Sequence, residues 1–145
     1  MDYDGVIYRI HELYGVQRGR DGVVVPNEGL KWTPDHVFSE IHRIEQEHPL
    51  LAGREITGVA DPAIWDVSTG ISIAETAARH DVFFTKGDHK RLQGWLQCQF
   101  RLAFDENGYP QMYVFNTCTD FIRTIPMLQY DEHDVEDLDT DGEDH

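Results

Sequence analysis

Apolar and polar positions along the chain change period several times, and each change marks an element. "GVIYRIHELYG" (5–15) alternates apolar and polar residues as a half-buried strand does, with Val6, Tyr8 and Ile10 on one face. The preceding "DYDG" has turn composition, so this strand reads as the second arm of a hairpin whose first arm is missing. "GRDGVVVPNEGLKW" (19–32) reads as loop, short apolar strand and loop. From Thr33 the period becomes helical. Thr33 is a capping residue, Pro34 suits the first helical position, and Val37, Phe38, Ile41 and Ile44 fall on one face. This spacing predicts a helix over 34–47 that stops before Pro49.

"REITGVADPAIWD" (54–66) holds a short apolar strand, 56–60, that ends at Asp61. Pro62 disfavours helical geometry at Asp61, so the aspartate is expected to be extended at the strand's carboxyl end. A helix over 71–79 and a buried strand over 82–85 follow. Asp88 is placed to cap a helix in "HKRLQGWLQCQFRLAF", with Leu92, Trp95, Leu96 and Leu102 on its apolar side. A hairpin joining 99–104 to 111–116 through Asn107-Gly108 competes with that helix, and the helix is the stronger pattern. "QMYVFN" (111–116) reads as a strand and "TDFIRTI" as a short helix broken at Pro126. Strands alternating with helices predict an α/β domain with a mixed sheet. Ligands in such sheets gather at the carboxyl ends of parallel strands, which draws attention to Asp61.

The chain has 145 residues, enough for one core, with 40% hydrophobic and 27% charged residues. No apolar run approaches the roughly 20 residues that span a bilayer, and no signal-peptide pattern opens the chain, so no membrane partner is expected. Cys98 and Cys118 do not make a disulfide framework and read as reduced thiols. The net charge of −15 is concentrated at the end, where the last fifteen residues carry nine acids and no Lys or Arg. The other 130 residues are only mildly acidic. That balance disfavours nonspecific phosphate binding through a basic surface, although a metal ion held by carboxylates can still meet a phosphate. By composition alone the acidic end is a solvated tail.

Several chemistries can be weighed from spacing. "DLDTDG" (137–142) matches the opening of an EF-hand loop, but Pro126 and the scattered acids spoil the entering helix, and three spaced acids arise easily in an acidic tail. His36, His42 and His48 show no HExxH spacing, and no CxxC pair occurs. There is no Walker motif, no GxSxG and no dinucleotide fingerprint. Asp61 has two readings: a cap for the turn that follows it, the commoner use of Asp, or a ligand for Mg²⁺ or Mn²⁺ in phosphodiester chemistry. Lys86, Lys90 and Arg91 surround an aromatic stretch and are candidates for phosphate contact, or simply an exposed helix face.

Read together, "VADPAIWD", "GDHKRLQGW" and the long stretch from "RLAFDENGYPQMYVFN" to "EDLDTDGEDH" resemble the carboxyl-terminal nuclease domain of terminase large subunits from tailed bacteriophages. "GVIYRIHELYG" matches more loosely, so the resemblance covers nearly the whole chain. It implies a ribonuclease H-like mixed sheet flanked by helices, spanning 1–130 and truncated at its N-terminus, with 131–145 as an acidic segment leading to the metal site. It further implies metal-dependent endonucleolytic cleavage of double-stranded DNA during genome packaging in the host cytoplasm, with two Mg²⁺ or Mn²⁺ ions. The terminase ATPase domain, the portal and the small terminase subunit are the implied partners. In the family the second acidic ligand stands where Asp61 stands, and the third lies in a His-x-x-Asp motif whose histidine matches His145.

The sequence departs from that pattern in two places. The first strand and its acid are missing, and the chain ends short of the third acid. Asp2, Asp4, Asp141 and Asp144 are nearby acids that do not match motif positions, and Asp144 is the neighbouring candidate beside His145. The expected site is therefore Asp61 with His145 and Asp144 as metal ligands, and Lys86, Lys90 and Arg91 on DNA. Weak metal binding and poor cleavage are expected of it. A rival expectation is a noncatalytic prophage remnant or partner-binding fragment. Since the missing strand is central in the family's sheet, either 5–14 moves across to pair with 56–60 or another chain fills the gap.

Overall fold

A computed structural model describes residues 5–67, 70–88 and 90–129. His145, Asp144 and the rest of the acidic segment 131–145 lie outside the described residues, as do Asp2 and Asp4. The described chain is mixed α/β, with four α-helices and small parallel and antiparallel ladders. It falls into two compact units. One is Lys31–His89, and the other comprises the residues on either side of it in sequence, 5–30 and 90–129. No helix among the described residues is long and apolar enough to cross a membrane.

In the flanking unit, β1 (Ile7–Arg9) pairs in parallel with β6 (Met112–Val114), in the register Ile7–Met112, Tyr8–Tyr113 and Arg9–Val114. The hairpin expected to include 5–15 is thus corrected: β1 has a distant parallel partner. Nor does it pair with 56–60. Tyr8 is 45% exposed and stacks on Tyr113 at 5.5 Å, so it does not lie on a buried face. The hairpin is formed instead by β2 (Val16–Arg18) and β3 (Val24–Gly29). Its turn is closed by the Gly19 N–H donating to the Val23 carbonyl at 2.8 Å, with Gly22 at φ +79°. Asp21-Gly22 is the signal that could have located it.

Helix α3 (Arg91–Leu102) and the short α4 (Thr119–Thr124) complete this unit. Asp88 does not hold the capping position of α3: Lys90 does, and its side chain makes no capping bond. The apolar side expected for α3 is also corrected, since Leu92 and Leu96 are exposed and the helix has no fully buried residue. Glu12 anchors α4, its carboxylate accepting the backbone N–H groups of Asp120 at 2.7 Å and Phe121 at 3.1 Å. These are first-turn donors that α4 cannot satisfy internally.

In the central unit, α1 (Pro34–Glu47) starts where the sequence predicts, with the Thr33 hydroxyl accepting the His36 N–H. Helix α2 (Ile73–Arg79) opens on a reciprocal cap. Ser72 Oγ accepts the Glu75 N–H, and the Glu75 carboxylate accepts the Ser72 N–H at 2.7 Å. That backbone donor holds the Glu75 carboxyl below its ordinary range. The capping contribution is therefore fully present above the ordinary glutamate pKa and is lost as pH falls through the lowered value. Ser72→Ala is expected to cost about 1 kcal/mol. A urea titration checks it, through a lower midpoint at unchanged slope.

Strands β4 (Gly58–Ala60) and β5 (Phe84–Lys86) pair in parallel, in the register Gly58–Phe84, Val59–Thr85 and Ala60–Lys86. Phe38, Ala77 and Val82 form the buried core, with Ile41 and Phe84 packed against it. Most strands predicted by periodicity are shorter in the structure, 58–60 for 56–60 and 112–114 for 111–116 among them, and the strand expected at 82–85 runs from Phe84 to Lys86; the short strand expected within 19–32 is instead the six-residue β3.

Candidate functional site

The carboxyl ends of β4 and β5 make the one place where the described structure gathers sequence-predicted site chemistry. Asp61 follows β4 directly with an extended backbone, φ −57° and ψ 136°, as Pro62 requires. Its Oδ1 accepts the Ala63 N–H at 2.7 Å, and its carbonyl accepts the Ile64 N–H at 3.2 Å. Asp61 is thus the cap of a 3-10 turn, Pro62–Trp65, and its side chain is exposed. The capping reading of this residue is therefore the observed one; one carboxylate oxygen closes the turn and the other takes no part in that bond.

Beyond Lys86 the ladder continues by one step, the Gly87 N–H donating to the Ala60 carbonyl at 2.8 Å. A Cβ at Gly87 would sit 3.2 Å from Val59 Cγ1 and 3.3 Å from the Ala60 carbonyl oxygen, so glycine permits this close approach. The consequence is that Asp88 reaches the same end of the sheet as Asp61. Val59, Ala60, Asp61, Pro62, Gly87 and Asp88 line an open depression of about 280 Å³. The sequence pattern alone predicts a different task for Asp88, the cap of α3. The usable signal was the repeated pattern of a short apolar strand followed by an acid, "GVAD" and "FFTKGD".

Lys86 belongs to this strand end, and its Nζ lies 5.5 Å from the centre of the Trp65 ring. Lys90 and Arg91 belong to the other unit, as the cap and first residue of α3. His145 and Asp144 lie outside the described residues, and no group of three or more His, Cys, Asp or Glu side chains placed to hold a metal occurs among those described. The histidines are spread: His36 meets the edge of Trp32, and His80 pairs with Asp35 at 2.8 Å.

A second polar cluster lies in the flanking unit, and its carboxylates are occupied. Asp120 is buried and accepts from Arg18 Nη2 at 2.6 Å, while Glu12 is committed to the α4 amides and to Arg9 at 3.6 Å. The Arg9 guanidinium also stacks 4.3 Å from the centre of the Phe121 ring. This network closes a helix end and has no carboxylate to spare for a ligand.

Comparison with family models, with curated proteins and with solved structures returns no match for this chain.

Proposed function

We propose that this chain is a metal-dependent nuclease domain acting on double-stranded DNA, of the ribonuclease H-like kind found in phage terminase large subunits. The observation that carries the reading is the placement of Asp61 and Asp88 at the carboxyl ends of two adjacent parallel strands, lining one depression. Open α/β sheets bind their ligands at such ends. The donor set fits one hydrated Mg²⁺ or Mn²⁺, which commonly takes one or two carboxylates and keeps several waters. Asp61 and Asp88 would hold it, and bound there it would stabilise charge on the attacking and leaving oxygens of a phosphodiester. Asp61 is kept in place by the Ala63 N–H, and Gly87 brings Asp88 alongside. Lys86 offers a cation to the phosphate at the same strand end. The further ligands, His145 and Asp144, and the packaging partners (ATPase domain, portal and small subunit) extend this reading from the sequence resemblance alone.

The test is nicking of supercoiled plasmid by the full chain. Slow Mn²⁺-dependent conversion to open circles, stopped by EDTA, is the expected result. Supercoiled DNA that stays intact at high protein and Mn²⁺ concentrations would leave the second reading, a noncatalytic or partner-binding fragment. The Asp61 capping bond favours that reading, because it gives the residue a complete structural role without any metal.

A further inference from the structure

We propose that Trp65 is a positioning residue that holds the Lys86 ammonium at the carboxylate-bearing strand end, making Lys86 a preorganised contact for a phosphate of duplex DNA. The inference rests on the DNA-cleaving reading and names the group that meets the polyanion. Lys86 closes β5 opposite Ala60, one residue from Gly87 and two from Asp88. Trp65 closes the 3-10 turn that Asp61 opens. Two separate segments therefore bring an aromatic face and a cation to the strand end that carries the two aspartates. The separation of 5.5 Å lies within the range in which a ring face attracts an ammonium.

Among the described residues Lys86 makes no ion pair, so its charge is not neutralised by a carboxylate. Lysine is a flexible side chain whose ordering opposes binding, and a ring that holds it in advance removes part of that cost. The need for such a cation is local. Asp61 and Asp88 make this strand end acidic, and a phosphate approaching it meets repulsion that a single fixed ammonium offsets.

The experiment measures binding of a fluorescein-labelled DNA duplex by anisotropy, with the full chain and Ca²⁺ in place of Mn²⁺, over a range of salt. Lys86→Ala is expected to weaken binding about fivefold and to lower the salt slope by about one. Trp65→Leu, which keeps apolar bulk without a ring, is expected to weaken binding about threefold with the same loss of slope. Trp65→Phe should stay within about twofold of the wild type, because a ring face remains. The double variant Trp65→Leu/Lys86→Ala should bind no more weakly than Lys86→Ala alone, since the two residues act through one contact. Multiplicative losses in the double variant, or an unchanged salt slope in Trp65→Leu, would overturn the proposal, because a tryptophan that merely supports the fold behaves that way. A wild-type chain that binds duplex without nicking plasmid removes the cleavage reading and leaves the cycle to decide the role of Trp65. A wild type that does not bind duplex overturns both.

Discussion

Asp61→Asn is expected to lower Mn²⁺-dependent plasmid nicking about a hundredfold or more while leaving the thermal midpoint almost unchanged. The substitution separates the capping bond that the structure shows from the metal ligation proposed for this side chain. Its Oδ1 accepts the Ala63 N–H at 2.7 Å, and an asparagine amide oxygen can accept the same bond, Asn and Asp being equally good at such positions. What Asn lacks is the negative charge that a hard divalent cation needs. A hundredfold loss corresponds to about 2.7 kcal/mol of transition-state stabilisation, and in a variant that keeps the capping bond a displaced turn does not account for it. Asp61→Ala supplies the contrast. It loses both tasks, so nicking should fall as far as in Asp61→Asn, with an added destabilisation of about 1 kcal/mol from the missing cap. Nicking rates in parallel with melting curves make the comparison. If Asp61→Asn nicks as the wild type does and Asp61→Ala is merely less stable, the aspartate is a cap and the catalytic assignment fails.

What could be read from the chain before its structure divides along a physical line. Helix α1 was legible to the residue because its signals are local: a threonine cap, a proline at the first position and an apolar stripe at helical spacing. The extended backbone of Asp61 was legible for the same reason, from the proline after it. Strand bounds were not, because a strand ends where its partner ends. Gly58 can be located only with Phe84 opposite it, and β1 looks like a hairpin arm in sequence because nothing near it announces Met112–Val114. The capping role expected of Asp88 failed by two residues, since α3 opens at Arg91, and this left the aspartate at the end of β5. Half of the candidate site was thus visible as a single acid before a proline. The other half depended on a parallel pairing between segments that only the folded chain brings together.

That pairing rests on a small core, and Phe38→Ala is the second change expected to have a large effect. Phe38 is 7% exposed and packs with Ala77 and Val82, while its ring lies 6.0 Å from that of Phe84 at a tilt of 56°. Truncating a buried phenylalanine costs about 3 to 5 kcal/mol, combining lost burial with the cavity left behind. A unit of about 60 residues has a total stability of roughly 3 to 9 kcal/mol, so the loss takes at least a third of it. Ala77 and Val82 are too small to fill the space, and Ile41 and Phe84 already pack against the cluster from its margin. The consequence reaches the candidate site through Phe84, which begins β5 and stands opposite Gly58 at the start of β4. Amide hydrogen exchange should therefore quicken by at least a hundredfold at the Gly58 and Gly87 N–H groups, both of which donate across the β4–β5 ladder. Plasmid nicking should fall with it, even though Phe38 touches neither aspartate. Unchanged exchange at these two amides, together with wild-type melting, would mean that the ladder is held by something other than this core.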